Sequence, residues 1–96
     1  MRKINFYSMV REGGKPFAKP QTGYTDGTYN YYNADGTWFA IHPVNGLSIC
    51  NGRTRKEAAE KAHAPRVVKM VEAALKRQAE AATHFAEAVE KAEGMA

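Results

Sequence analysis

Two groups of residues in this sequence could do chemistry. Arg53, Arg55 and Lys56 surround Thr54 in the stretch NGRTRKEAAEKA, where a helix is expected to begin. The free amides of a helix start carry partial positive charge and ordinarily favour acidic side chains. Three cations there oppose the dipole, so the functional expectation is an anion site, with amides and cations together receiving a phosphate or a carboxylate cluster. No glycine-rich cradle accompanies them, and a solvated, charged first turn would carry the same residues. The second group is aromatic: Tyr24, Tyr29, Tyr31, Tyr32, Trp38 and Phe39 are more rings than one face of a small sheet buries. Exposed rings beside cations stack on bases or fill a protein hot spot. The binding surface read from the sequence is therefore Tyr29, Tyr31, Tyr32 and Trp38 with Arg53, Arg55 and Lys56.

For catalysis the inventory is poor. His42, His63 and His84 are scattered, and neither HxxxH, CxxC nor a carboxylate cluster offers metal-ligand spacing. There is no Gly-x-Ser-x-Gly elbow and no phosphate loop. Cys50, the single cysteine, could face His42 across neighbouring strands. A small buried thiol is the simpler expectation, since reactive cysteines need an electropositive, accessible setting. A non-enzyme without cofactor or metal is expected.

The elements that must hold these residues are legible from periodicity. Residues 3–10, KINFYSMV, alternate Ile4, Phe6 and Val10 against Asn5, Tyr7 and Met9, the period of a strand. Residues 12–28 are dense in Gly, Pro, Thr and Asp and read as a loop. YNYY (29–32) and TWFAIH (37–42) flank Asp35-Gly36, a tight hairpin turn, and Asn45-Gly46 offers a second turn before a short strand with Leu47 and Ile49. Phe39, Ile41, Leu47 and Ile49 are the expected core face of this meander.

Thr54 stands three residues before Glu57, a capping pair that starts a helix. Pro65 must break it and suits the first turn of a second helix. From Pro65 to Glu93 nothing interrupts helix until Gly94. Along it Ala64, Val68, Val71, Leu75, Gln78, Ala82, Phe85, Val89 and Ala92 recur at alternating spacings of four and three, a seam that packs on another helix. A helix of about 28 residues would span about 42 Å, longer than a globule of this size is wide. Its distal half is thus expected to dock on a second copy through Leu75, Ala82, Phe85 and Val89, or else to turn back near Ala81-Ala82-Thr83 or to fray. Leaving Phe85 and Val89 in water would forfeit about 1.5–3 kcal/mol per large side chain.

These elements make a single α+β domain over residues 1–96, an antiparallel sheet region (1–52) followed by a helical region (53–96). The composition, 44% apolar and 25% charged, is that of an ordinary globular chain. No apolar run approaches the roughly 20 residues a bilayer requires, the stretch MRKINFYSMV lacks the apolar core and small-residue cleavage site of a signal peptide, and a lone cysteine suits a reducing compartment, so a cytoplasmic protein is expected. Residues 1–56 carry eight Lys/Arg against three Asp/Glu, and residues 57–96 carry six against seven. The basic half suggests an acidic protein face or nucleic acid as partner.

The cassette TWFAIHPVNGLSICNGRTRKEAAEKA, residues 37–62, resembles a pattern in small phage and mobile-element proteins: a Trp-containing strand, His-Pro, a Gly-Leu-x-Ile strand and a Gly-x-Thr-Arg-Lys-Glu-Ala helix start. The resemblance implies a stand-alone binding protein acting on host machinery, with anti-CRISPR-type inhibitors as the best known group of that kind. It carries no catalytic residues. Three strands followed by a helix also look like the DNA-binding domains of plant ethylene-response factors and the arm-binding domains of tyrosine recombinases, which read the major groove with the sheet. Here the strands hold few arginines, whereas base readout needs Arg, Asn or Gln projecting from the docked element. The expected function is a non-enzymatic inhibitor of a host protein or nucleoprotein. The alternatives are a nucleic-acid binder using the basic junction and an oligomerising subunit.

Overall fold

The computed structural model describes residues 1–94. One antiparallel sheet is built from β1 (Arg2–Glu12), β2 (Lys15–Thr25), β3 (Asn30–Ala34), β4 (Thr37–Ile41) and β5 (Ser48–Gly52), in that spatial order. Three helices follow: α1 (Arg55–Ala62), α2 (Pro65–Arg77) and α3 (Ala79–Gly94). The α+β class expected from the sequence is observed.

The first correction concerns residues 12–28. Most of this stretch is β2, paired with β1 over its whole length from Arg2↔Thr25 to Glu12↔Lys15. Gly13 and Gly14, at φ +57° and +82°, close the hairpin as a two-residue turn that L-residues enter only at a cost. The prolines that argued for a loop, Pro16 and Pro20, lie where β2 has no second neighbour, because β2 meets β3 only at Tyr24↔Tyr31 and Thr25↔Asn30. A missing amide costs nothing on a strand's open side. The hairpin β3–β4 turns at Asp35-Gly36 as expected, with φ values of +52° and +88°.

Gly23 is the corner of the sheet. A Cβ there would sit 1.9 Å from the Tyr31 carbonyl oxygen, so only glycine lets β2 bend across β3. Beyond it the β1–β2 ribbon curls back, bringing Phe6 to 6.1 Å from Tyr32, which stacks on Phe39 at 5.5 Å. The outer edge of β1 is fastened to the β4–β5 connection by Met9 N–H donating to the Gly46 carbonyl at 2.7 Å. The sheet thus shelters part of its own concave face, where Ser8 is buried and accepts from Gln21 at 3.0 Å.

Helix α1 covers the other face of the β3–β5 half. Its Ala58 and Ala62 are fully buried against Tyr29, Tyr31 and Ala40, with Trp38, Ile49 and Cys50 at the margin. Small alanines let the helix approach closely.

The second correction concerns the C-terminal helix. It is interrupted at Gln78 (φ −119°, ψ +49°), whose amide still reaches Ala74 O while α3 restarts with Ala81 N donating to Gln78 O. The molecule measures 34 × 29 × 25 Å, too short for the uninterrupted rod. Breaking it lets α3 lie along β2 and bury Phe85 against Gly46. Tertiary burial outweighs helix propensity here, as is usual for helices that are individually marginal.

Candidate interaction surface

The residues brought together by the β4–α1 junction form the strongest candidate. Trp38 on β4 pairs with Gly52 on β5, and Gly52 is packed under the first turn of α1, its Cβ position 2.7 Å from the Ala58 amide. That contact fixes where the helix begins. Thr54 caps it, its hydroxyl accepting from Glu57 N–H at 3.0 Å. Glu57 in turn pairs with Lys61 at 3.1 Å, and the Lys61 ammonium is the chief cause that holds the Glu57 carboxyl below the usual carboxylate value.

With the helix start fixed, Arg55 is aimed at the sheet. Its guanidinium lies 4.0 Å above the Tyr24 ring and 6.0 Å from that of Trp38, and the two rings are 6.2 Å apart. A cation over aromatic faces is attracted by their quadrupoles, worth about 0.5–2 kcal/mol with burial. Arg55 is half-buried and already partnered by rings. A shallow groove of about 520 Å³ runs beside it, lined by Met1, Trp38, Arg55, Lys56, Ala59 and Glu60.

The three cations of the junction do not converge. Arg53 lies on the opposite flank with Thr37, Asn51, Glu57 and Lys61, whereas Lys56 lines the Trp38 groove. Arg53, Arg55 and Lys56 thus line no common cavity. Arg53 lies before the helix, whereas Arg55 and Lys56 open its first turn, and Arg55 is captured by Tyr24 and Trp38.

The aromatic surface is also smaller than expected. Tyr29 (5% exposed) and Tyr31 (0%) are core residues. Tyr32 is half-buried between Phe6 and Phe39 on the concave face. Of the four rings expected to bind, only Trp38 borders the junction groove, and Tyr24 joins it. Leu47, expected in the core, is 36% exposed.

A polar hub that sequence reading missed sits behind Tyr31. Asp26 Oδ1 accepts from the Thr28 and Tyr29 amides at 2.9 and 2.8 Å, and Oδ2 accepts from the Tyr31 hydroxyl at 2.6 Å and from His63 Nε2 at 2.7 Å. Burial alone would raise this carboxyl. The Tyr29 amide, Tyr31 hydroxyl, His63 and Thr28 amide together outweigh it and hold Asp26 far below its ordinary 3.8. Burial, and then the bond to Asp26, push the Tyr31 phenol well above 10. The hub ties the β2–β3 turn to the end of α1, where His63 also packs on Tyr29 at 5.1 Å. The available signal was Asp26-Gly27, a dipeptide whose carboxylate tends to bond amides two residues on.

Cys50 donates to the Ala58 carbonyl at 3.4 Å, and burial pushes its thiol up, the opposite of an activated nucleophile. Burial lowers His42, whose Nδ1 accepts from Val44 N–H at 3.1 Å. Among the described residues no three His, Cys, Asp or Glu side chains are grouped as a metal would require, and no helix is long and apolar enough to cross a membrane.

The proposed dimer seam changes character as well. Phe85 is 8% exposed and buried within one chain, against Gly46. Ala82 and Val89 on α3 and Leu75 on α2 are half-buried. The physical premise for a second copy, a large ring left in water, is removed. No protein-family model, curated protein or solved structure matches this chain.

Proposed function

We propose that this chain is a non-enzymatic binding protein that blocks a host protein by direct contact, in the manner of the small inhibitors that phages and mobile elements encode. The observation that carries the reading is the Tyr24–Arg55–Trp38 stack beside an open groove. Trp, Tyr and Arg dominate the energetics of protein interfaces, and an arginine immobilised before binding loses less entropy when a partner arrives. Lys56 and Glu60 at the rim would set orientation and on-rate rather than affinity. The resemblance of residues 37–62 to phage and mobile-element proteins supports the same reading, because those residues supply Trp38, Arg55, Lys56 and the frame that holds them. Tyr29 and Tyr31 take no part in contact and act by supporting the sheet under α1.

The test is capture of a partner from bacterial lysate by the wild type and by Trp38→Ala and Arg55→Ala variants. Each variant is first checked for an unchanged far-ultraviolet circular dichroism spectrum. A partner retained by the wild type and lost by both variants is expected. Retention of every captured protein by both folded variants would exclude this surface.

A further inference from the structure

A second surface is marked by charge. Residues 1–25 carry five Lys/Arg and one Glu, whereas residues 26–96 carry nine of each. The whole net charge of +4 therefore resides on the β1–β2 ribbon. Its cations Arg2, Lys3, Arg11, Lys15 and Lys19 are all exposed. Among the described residues the ion pairs are Glu57–Lys61 and Asp26–His63, so each ribbon cation lacks a carboxylate partner. Folding gains nothing from concentrating like charges in this way, since they repel one another.

The shape of the ribbon suits one class of ligand. Eleven residues per strand, ten steps of about 3.3 Å, give it a contour of roughly 33 Å. It is only two strands wide except at Tyr24 and Thr25, where β3 joins. A two-stranded ribbon fits the major groove of a duplex, about 12 Å wide. Near the tip, Pro16 is exposed and Phe17 is 37% exposed, an apolar point between Lys15 and Lys19. Pairing places Lys15, Phe17 and Lys19 on one face, opposite Glu12, Val10 and Ser8 of β1. Helix α3 packs on β2, where its Ala88, Lys91 and Ala92 share a cavity with Pro16, Phe17 and Ala18. The acidic residues nearest in sequence to Lys91, Glu87, Glu90 and Glu93, belong to α3 and form no ion pair with the ribbon.

We infer that the β1–β2 ribbon binds duplex nucleic acid, with Lys15 and Lys19 on phosphates beside Phe17 in the groove and Arg11, which pairs with Pro16 on the ribbon's other face, on a flanking phosphate. An acidic protein surface would also attract these cations. A protein interface, however, needs a larger desolvated apolar centre than Pro16 and Phe17 provide. None of the ribbon's binding residues lies on β4 or α1, so this inference stands or falls independently of the Trp38 groove.

The test is fluorescence anisotropy of a labelled 20-base-pair DNA duplex titrated with the full chain at 50 to 300 mM salt. If three to five phosphates are neutralised, log K falls against log salt with a slope of roughly −2.7 to −4.5. The triple variant Arg11→Gln, Lys15→Gln, Lys19→Gln is expected to lower affinity at least tenfold at 50 mM salt and to flatten the slope by about 3. Phe17→Ala is expected to weaken binding severalfold with the slope unchanged. All four positions are exposed, and unchanged thermal midpoints confirm folding. A Lys69→Gln, Lys76→Gln, Arg77→Gln variant, which removes three exposed cations of α2, should keep the wild-type salt slope, and a slope flattened as much as in the ribbon variant would overturn the assignment to the ribbon. No duplex binding at 50 mM salt, an unaltered slope in the ribbon variant, or tighter binding to phosphatidylserine vesicles than to duplex overturns the inference.

Discussion

The seat of Phe85 on Gly46 decides whether the C-terminal helix belongs to this molecule's own core. A Cβ at Gly46 would fall 2.3 Å from Phe85 Cε1 and 2.5 Å from Cδ1, at a backbone φ of +68°. Gly46→Ala is therefore expected to cost about 1–2 kcal/mol for the left-handed backbone and about 1–3 kcal/mol more for displacing the ring. Phe85→Ala, emptying a site 8% exposed, is expected to cost about 3–5 kcal/mol. In the double variant the ring is gone, and only the backbone cost of Gly46→Ala should remain. The two substitutions should then fall short of additivity by about 1–3 kcal/mol, within the range for side chains in contact.

Urea unfolding followed by the fluorescence of Trp38, the single tryptophan, reads these differences from shifts in midpoint at constant slope. A domain of this length is stable by roughly 5–14 kcal/mol, so Phe85→Leu keeps the cycle measurable if the alanine variant is largely unfolded. Because the contact is intramolecular, the Phe85 term should not depend on protein concentration, as a dimer contact would. Additivity within about 0.5 kcal/mol, or a Phe85 effect that shrinks on dilution, would refute the docking of α3 onto the β4–β5 connection.

Asp26→Asn is expected to cost about 1–3 kcal/mol at neutral pH, because it removes a charged acceptor from four donors. Since folding depresses Asp26 below 3.8, its contribution is complete above that pH and is lost as pH falls toward the folded value. The gap between wild type and variant, measured by urea melts, should therefore narrow below pH 4 or so; a constant gap would contradict the hub. Tyr31, raised above 10.0 by burial and Asp26, works in the opposite direction: its contribution is lost as pH rises beyond 10, and Tyr31→Phe should flatten the alkaline limb of the same stability curve. Gly23→Ala, whose Cβ would meet backbone at 1.9 Å, should abolish the corner and leave a chain without a cooperative thermal transition. Thr54→Ala should cost about 1 kcal/mol by removing the cap of α1, readable as a midpoint lowered by about 4–8 °C.

The features legible in the sequence are those whose cause lies within a few residues. Asp35-Gly36 dictates a hairpin, Thr54 with Glu57 dictates a helix start, and Pro65 occupies the first turn of α2. The features missed have causes distant in the chain. Pro16 and Pro20 look like strand breakers until it is known that β2 is open on one side over their length. Gln78 carries no breaking signal, and the helix ends there because Phe85, seven residues on, has a seat on Gly46. Asp26 looks like a turn residue, and only the fold supplies Tyr31 and His63 as its donors.

The candidate surface illustrates the same division. The observed pairs Tyr24↔Tyr31 and Asn33↔Trp38 place Tyr24, Tyr31 and Trp38 on one face of the sheet. Alternation does not reveal how far along that face a helix reaches. Helix α1 is eight residues long, and its Ala58 and Ala62 cover Tyr31 completely, while its first turn stops beside Trp38 and Tyr24. A ring under the body of the helix becomes core, and a ring at its end becomes surface. Arg55 marks that boundary: as the first residue of α1 it lies over the two rings the helix leaves partly open. The basic junction is therefore better understood as one arginine pinned on aromatics with two cations splayed to either side. An arrangement of that kind offers a partner a rigid aromatic-guanidinium ledge rather than a pocket for an anion.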